Sequence, residues 1–552
     1  MHVHRQVEDN LKETIATAKQ NNRKCLILLC GNVGDGKSHL ISYLKNCHEN
    51  LLECFDIHND ATESYHPNRD EKQELARVLE EFSDENLDNS SNKKVIVAIN
   101  LGVLSNFIES EEGTRFKKLA EFVENKKILI ETDIANDVMD NGTFYCVNFG
   151  DYHIYRLSNG RVESPYIKDI INKIYVNVTG NIFYDAYTKC INCDCREICP
   201  VKSNFEFMRN NVANQGVTNV ILETIIKDKI ILSTRDLLNF FYDITVHPLF
   251  DKRNVQKEFK KRGLDYIADY SIPNIMFDHD DISPLISHIK NYDFATQRTE
   301  YFDEIVTHFY NTVDMGGLFK EFIAPSAILS LILNEIEKLE HDDKQNQLKE
   351  NRNAMFKIFA RLNKLSPKDQ SHETVNPEFK EFIAYLYSAI RSDKHNLKSL
   401  YSMVKECIYF WNGSTDTQNL NLRSNQDDYI ISTPLEINPD ISGYSESKSE
   451  TVFDYFPGSI NITFYSRKDK SNFASIAIDY DLYKILKKVQ NGYRPSVKDD
   501  NMYAGFVAFI KKISSFGDSS DKIIISHYED EKLKKYLLEA DEFETFMFKE
   551  VQ

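Results

Sequence analysis

A glycine-rich loop between a short apolar run and a helical pattern constrains this chain more than any other feature of its sequence. The apolar run covers 25–30 after Lys24, the loop reads Gly-Asn-Val-Gly-Asp-Gly-Lys-Ser over 31–38, and apolar residues at helical spacing follow over 39–45. The loop matches G-x-x-x-x-G-K-[ST], in which backbone N–H groups wrap phosphates at a helix N-terminus. Strand, loop and helix in this order predict a P-loop in an α/β fold with a parallel sheet.

The residue types of the loop assign a role to each of its parts. The glycines allow the tight curve, Lys37 would reach the β- and γ-phosphates, and the hydroxyl of Ser38 would complete the shell of a bound Mg²⁺. The candidate nucleotide-binding residues are Gly31, Asn32, Val33, Gly34, Asp35, Gly36, Lys37, Ser38 and His39. Because the chain has no N-K-x-D motif, which is the usual reader of guanine, we expect ATP.

Hydrolysis also needs a carboxylate on the Mg²⁺ side and a polar residue near the γ-phosphate. Asp60 follows a predicted strand over 52–58 and is our candidate carboxylate, although an Asx turn explains the Asn-Asp pair equally well. Asn100 follows the β-branched run 95–99, which is typical of a buried parallel strand, and could contact the γ-phosphate or water. The chain has no plain Walker B motif here, and the pair Glu131 and Asp133, after the apolar run 127–130, competes with Asp60.

Arg235 is the fourth candidate catalytic residue. It lies at the start of a predicted helix in the segment Ser-Thr-Arg-Asp-Leu-Leu-Asn-Phe over 233–240. This segment resembles the helical lid of ATPases of the AAA+ type, in which a lid arginine contacts nucleotide phosphate. An arginine that only pairs with a helix end is the competing interpretation.

Four cysteines within ten residues indicate a metal site. Cys190, Cys193, Cys195 and Cys199 have the spacing C-x₂-C-x-C-x₃-C, which matches neither paired zinc knuckles nor the ferredoxin run. We expect structural zinc first, an iron–sulfur cluster second, and free thiols as the remaining alternative.

Length and composition restrict the class of protein. With 552 residues, 41% hydrophobic and 28% charged, the chain is typical of a globular protein with several domains. The longest apolar run, 25–30, is far short of the ~20 residues that span a bilayer, so we expect a cytoplasmic protein without a membrane segment. The predicted segments are a P-loop NTPase core (1–150), a cysteine-rich insertion (151–215), a helical lid (216–315), a helical domain (316–411) and a C-terminal α/β domain (412–552).

The net charge of −18 argues against a protein that coats nucleic acid over its whole surface. Any contact with DNA must come from a local patch or a partner. The most basic short run, 257–262, is best interpreted as a solvated helix face.

Several segments together resemble the DptF family, the ATPase components of bacterial restriction systems that depend on DNA phosphorothioation. The resemblance is carried by the loop 31–38, Asn-Asp-Ala-Thr over 59–62 with His-Pro-Asn over 66–68, the run 98–104, the cysteine cluster ending in Cys-Pro, and 233–240. It implies an AAA+-like ATPase that works with DptG and DptH subunits to restrict DNA lacking the phosphorothioate mark. DNA would be contacted through the complex.

Two functions from different classes follow from these patterns. The first is an ATP-hydrolysing subunit that drives a restriction complex, with the chemistry on DNA assigned to a partner. The second is a scaffold switched by nucleotide, with little or no turnover, which the missing Walker B motif favours. A small-molecule kinase is a weaker third hypothesis. A homo-oligomer stays open, with Arg115 and Arg156 as candidate arginine fingers.

Overall fold

The computed structural model describes most of the chain. The described residues are 2–21, 23–59, 70–129, 139–140, 142–296, 300–341, 352–369, 376–422, 429–441, 452–453, 458–466, 469–516, 522–529, 532–540 and 545–551. The chain divides into two compact units, one formed by 1–156 with 163–375 and the other by 157–162 with 376–552.

A largely parallel sheet forms the centre of the first unit. Its strand order is β2-β3-β1-β5-β4, in which the first four strands are parallel and β4 is antiparallel to β5. The strands are β1 (Cys25–Cys30), β2 (Asp56–His58), β3 (Lys94–Ile99), β4 (Met139–Asp140) and β5 (Phe144–Asn148). Every residue of β1, β3 and β5 is buried, as expected for central strands covered on both faces.

Alternate residues of each central strand enter different cores. Leu26 and Leu28 of β1 pack in one core, whereas Ile27 and Leu29 pack in the other, because successive strand side chains point to opposite faces. Helices cover both faces, so the core is of the doubly wound α/β type. The helices up to the sheet's last strand are α1 (Gln6–Gln20), α2 (Lys37–Cys47), α3 (Glu49–Leu52), α4 (Glu71–Val78), α5 (Leu101–Ile108) and α6 (Lys117–Asn125).

A hairpin and a long helical region follow the sheet. The hairpin strands are β6 (Arg156–Ser158) and β7 (Arg161–Glu163). The helices are α7 (Pro165–Tyr175), α8 (Ile182–Thr188), α9 (Pro200–Arg209), α10 (Asn211–Asp228), α11 (Thr234–Thr245), α12 (Val255–Arg262), α13 (Leu264–Asp269), α14 (Ile272–Asp278), α15 (Pro284–Ile289), α16 (Glu300–Asn311), α17 (Met315–Phe322), α18 (Ala327–His341) and α19 (Arg352–Leu365). In α12, which carries the basic run, only Val255 is buried.

The second unit combines helices with antiparallel strands. Its helices are α20 (Pro377–Arg391), α21 (Lys394–Trp411), α22 (Tyr480–Gln490), α23 (Val497–Met502) and α24 (Ala504–Ser514). Its strands are β8 (Asn419–Asn421), β9 (Tyr429–Pro434), β10 (Ile437–Pro439), β11 (Val452–Phe453), β12 (Ser459–Ser466), β13 (Phe473–Asp479), β14 (Lys522–Glu529), β15 (Lys532–Ala540) and β16 (Phe546–Val551). They form two antiparallel sheets, β10-β12-β13 and β16-β15-β14-β9-β8, while β11 pairs with β6.

The α/β class with a parallel sheet is confirmed, and one local prediction needs correction. The strand predicted over 52–58 begins only at Asp56, because 49–52 forms the short helix α3. The described part of the apolar run 127–130 lies in a turn, with Lys127 at φ 52°, and the strand beside β1 is β5. The boundary between the two units falls inside the predicted segment 316–411, and the finer division into five segments stays a prediction.

Candidate functional site

The glycine loop lies at the carboxyl edge of the parallel sheet, where open α/β sheets bind ligands. It leaves β1 at Cys30 and ends at Lys37, the first residue of α2. Gly34 has φ 91° and Gly36 has φ 103°, in the left-handed region that side chains disfavour. A Cβ atom on Gly34 would also lie 2.8 Å from Ser233 Oγ, so the loop needs glycine there for space as well as for conformation.

Lys37 and Ser38 lie at the start of α2, as the motif predicts. The ammonium of Lys37 donates to the carbonyl oxygens of Gly31 at 2.9 Å and Asn32 at 2.8 Å, so it is held across the loop. The hydroxyl of Ser38 lies 3.5 Å from the carbonyl oxygen of Asn59, just after β2. The ammonium group of Lys37 and the hydroxyl group of Ser38 therefore lie together at the helix N-terminus, a position that favours bound anions.

Asp35 turns its side chain back into the loop. Its Oδ2 accepts from the backbone N–H of Asn32 at 2.6 Å. Burial raises the pKa of Asp35, while the Asn32 N–H and the nearby positive charges of Arg5 and Lys37 oppose that rise. The carboxyl group is thus part of the folded loop, and its raised pKa reflects the apolar surroundings of the site.

The first turn of α11 contacts the loop directly. The backbone N–H of Arg235 donates to the carbonyl oxygen of Gly34 at 3.2 Å, and the hydroxyl of Thr234 donates to that of Asp35 at 3.2 Å. A capping box between Ser233 and Asp236 fixes the start of the helix. The sequence pattern that resembled a lid therefore lies against the glycine loop.

Arg235 lies beside the loop, in the first turn of α11. Its exposed side chain lines the cavity beside the loop, and within the described residues its guanidinium has no hydrogen bond or ion pair. Its contact with nucleotide phosphate stays a prediction.

Arg5 is a site residue that the sequence analysis did not identify. Its guanidinium donates to the carbonyl oxygens of Asp35 at 3.3 Å and Tyr152 at 2.9 Å. It lies 5.2 Å from the ring centre of Phe149 and 5.1 Å from that of Tyr166. Burial of the guanidinium lowers the pKa of Arg5. A lone arginine before an amphipathic helix carries no motif, so no sequence signal could have found it.

A cavity of about 610 Å³ opens beside the loop, within the usual range for small-molecule sites. Its walls come from the loop, the N-terminal segment, Asn100, α7 and α11. A larger cavity of about 820 Å³ lies along β2, but two of its basic side chains, Lys93 and Arg77, are already paired with carboxylates. The smaller cavity is the candidate site, because residues of the glycine loop, Lys37 and Ser38 among them, line it.

The polar residues predicted at neighbouring strand ends have different outcomes. Asn100 caps α5 by accepting from the Gly102 N–H at 2.9 Å, and it lines the cavity. Its contact with phosphate or water stays a prediction. Asp60, Glu131 and Asp133 lie outside the described residues. The candidate fingers are engaged within the chain, Arg115 with Glu80 and Arg156 with Glu163.

The four clustered cysteines are free thiols of intermediate exposure between α8 and α9. Burial raises the pKa values of Cys190, Cys195 and Cys199, and the neighbouring thiols add to the rise. Among the described residues, no group of three or more His, Cys, Asp or Glu side chains converges as a metal shell would require. The metal site stays a prediction, and no chemistry is derived from it.

Comparisons with protein-family models, curated proteins and solved structures found no match for this chain. In the described part of the chain, no helix combines the length and apolar character that crossing a membrane needs. What can be said of function therefore rests on the loop, the cavity and the sequence patterns.

Proposed function

We propose that this chain binds ATP at the glycine loop and hydrolyses it to ADP and phosphate. The observation that carries the proposal is the position of a complete G-x-x-x-x-G-K-[ST] loop between a buried parallel strand and a helix N-terminus, beside a cavity of about 610 Å³. A helix N-terminus and an ammonium group together favour the phosphates of a nucleotide.

Each residue of the site has a role in this reaction. Attack by water on the γ-phosphorus breaks its bond to the bridging oxygen, and negative charge develops on the phosphate oxygens. Lys37 and the loop N–H groups stabilise that charge, Arg235 adds a second cation, and Asn100 orients the water. Ser38, with Asp60 as the expected carboxylate, would hold Mg²⁺, which supplies further charge neutralisation when bound.

We further propose that the ATPase serves a restriction complex that depends on DNA phosphorothioation, with DptG and DptH as partners. The resemblance of several segments to the DptF family supports this assignment. The net charge of −18 favours contact with DNA through those partners over contact by this chain alone.

The test compares ATP turnover of wild type, Lys37→Ala and Lys45→Ala. Lys45 is a matched control, because it is an exposed lysine on the same helix outside the loop. We expect Lys37→Ala to lose turnover by about 100-fold or more, as for removal of a group that stabilises the transition state, and Lys45→Ala to keep it. Equal activity of the two variants would contradict the proposal.

The same assay, run with duplex DNA and the partner proteins, tests the restriction assignment. We expect turnover to rise when unmodified DNA and partners are both present, and to rise less with phosphorothioate-marked DNA. Turnover that does not change with DNA or with the partner proteins would indicate an ATPase that does not belong to such a complex.

A scaffold that binds ATP without turning it over is the second candidate. The described ends of β2 and β3 carry amides, Asn59 and Asn100, where a hydrolase commonly has a carboxylate. ATP binding with no turnover, even with DNA and partners present, would establish the scaffold.

The cysteine cluster adds a proposed structural metal, with zinc placed before an iron–sulfur cluster. Elemental analysis of the purified chain is expected to give about one zinc per chain, and Cys193→Ser is expected to lower that content. A metal-free wild-type chain would remove the metal from the proposal.

A further inference from the structure

We propose that Thr234 and Arg5 are positioning residues that hold the peptide between Asp35 and Gly36 with its N–H group directed at the phosphates. The inference rests on the proposed nucleotide binding and identifies which residues organise that site.

Two successive loop carbonyls are anchored from outside the loop. The oxygen of Gly34 accepts from the Arg235 backbone N–H at 3.2 Å. The oxygen of Asp35 accepts from Thr234 Oγ1 at 3.2 Å and from Arg5 Nη1 at 3.3 Å. Neither oxygen can turn inward without losing these bonds.

The planar peptide converts this anchoring into an orientation of the donors. In a trans peptide, the carbonyl oxygen of one residue and the N–H of the next point in opposite directions. Anchoring the oxygens of Gly34 and Asp35 outward therefore turns the N–H groups of Asp35 and Gly36 inward. The Asp35 N–H donates to the Asn32 oxygen across the loop at 3.4 Å, while the Gly36 N–H has no acceptor in the described part of the chain and is the donor left for phosphate.

Both positioning side chains are themselves fixed. The Arg5 guanidinium lies between the rings of Phe149 and Tyr166 and donates a further bond to the Tyr152 oxygen at 2.9 Å. The Tyr166 hydroxyl lies 2.9 Å from Thr234 Oγ1, so it can donate to Thr234 while Thr234 donates to Asp35. Hydrogen bonds in such a chain strengthen one another.

The ligand chemistry that this arrangement serves is the polyphosphate, not the nucleoside. The oriented Gly36 N–H contacts a phosphate oxygen, so loss of its orientation weakens the binding of inorganic pyrophosphate and of ATP by the same factor. Binding contributed by the base and ribose is left unchanged. This common factor separates a positioning role from general damage to the cavity.

The experiment measures the dissociation constants of ATP and pyrophosphate by calorimetry for wild type, Thr234→Val, Thr234→Ser, Arg5→Lys and Thr307→Val. We expect Thr234→Val and Arg5→Lys to weaken the binding of both ligands by about three- to tenfold, which corresponds to the loss of one or two hydrogen bonds. Thr234→Ser keeps the hydroxyl and is expected to stay within about twofold of wild type. Thr307→Val removes a hydroxyl that donates to the Asp303 oxygen within α16, and it serves as the control.

The outcomes separate this inference from the function on which it rests. Wild-type affinity in Thr234→Val, or a Thr234→Ser variant as weak as Thr234→Val, would overturn the positioning role and leave nucleotide binding intact. A wild-type chain that binds neither ATP nor pyrophosphate would overturn both. If Arg5→Lys does not fold, the three threonine variants still decide the question.

Discussion

Gly34 lies where the glycine loop meets the first turn of α11. Its φ of 91° is in the left-handed region, and a Cβ atom there would lie 2.8 Å from Ser233 Oγ and 3.1 Å from Arg235 Cβ. The residue therefore joins a conformational requirement to a steric one.

We expect Gly34→Ala to destabilise the chain by about 1–3 kcal/mol and to weaken ATP binding, because the collision separates α11 from the loop. The control is Gly180→Ala, which has a similar φ of 90° but no atom within 4 Å of the added Cβ. Thermal denaturation and ATP titration of both variants check the prediction. A Gly34→Ala chain that melts and binds like Gly180→Ala would refute the steric contact.

Asp151 makes stability depend on pH. Burial raises its pKa to about 6, against the opposing hydrogen bond from Asn148. Because the unfolded carboxyl group titrates near 3.9, the folded state holds the proton more tightly between these values. The stability contributed by the protonated form is present below about pH 4 and is lost as the pH rises through about 6.

Asp151→Asn removes this loss, so the variant should exceed wild type by about 1–2 kcal/mol at pH 7.5 after allowance for the exposed part of the side chain, and by less at pH 5. Melting temperatures at the two pH values measure the difference. Asp280→Asn is a control of opposite sign, because hydrogen bonding to Lys290 lowers the pKa of Asp280. A constant gain across pH would show that charge is not the cause.

The sequence predicted the loop residues of the site but not the residues that hold them. Lys37 and Ser38 were predictable because the motif is continuous in the chain. Arg5 and Thr234 contact Asp35 across 30 and 199 positions, so only the folded chain brings them together. Their residue types carry no information about such contacts.

At the scale of elements, α11 has an end that serves both stability and the site. Ser233 and Asp236 form a capping box, and the same turn supplies the N–H that bonds the Gly34 oxygen. A second capping box, between Ser496 and Asp499, begins α23 in the other unit. α11 therefore has its capping box beside the glycine loop, whereas α23 has the same motif in the second unit.

Ser233→Ala and Ser496→Ala should each cost about 1 kcal/mol of stability, the usual value of an N-cap. Only Ser233→Ala should weaken ATP binding, because a frayed first turn of α11 loosens the hydrogen bonds to the Gly34 and Asp35 oxygens. Thermal melts and ATP titrations test both variants. A loss of affinity in Ser496→Ala as well would point to a general effect of stability.

The elements of the core were predicted where hydrophobic pattern and length agreed. β1 and β3 are six-residue strands, apolar except for Lys94 at the start of β3, and were expected from the runs 25–30 and 95–99. β5 was not predicted, because Phe144–Asn148 is short and ends in a polar residue. The run 127–130 was noted only as the segment before Glu131 and Asp133. In that run the backbone turns at Lys127, after α6 ends, and local hydrophobicity does not reveal this turn.

At the scale of the whole molecule, the net charge disfavours direct association with DNA. A net charge of −18 repels a polyanion, and phosphate contacts require a surplus of lysine and arginine.

We expect the chain alone to show no saturable binding to duplex DNA at about 150 mM salt, and binding to appear only with the partner proteins. Fluorescence anisotropy with marked and unmarked duplexes measures this. Tight binding by the chain alone, with a steep salt dependence, would instead locate a DNA site on this protein.

In the proposed nucleotide site, the anchored carbonyls of Gly34 and Asp35 couple the position of α11 to the affinity for nucleotide, and such coupling is reciprocal. Any protein that binds and moves α11 away from the loop would lower the affinity for nucleotide by some factor. Bound nucleotide would then lower the affinity for that protein by the same factor. A tenfold coupling corresponds to about 1.4 kcal/mol, which is comparable to the worth of the anchoring hydrogen bonds. A protein that moves α11 would thus control how much of the proposed site is occupied by nucleotide, without itself contacting the phosphates.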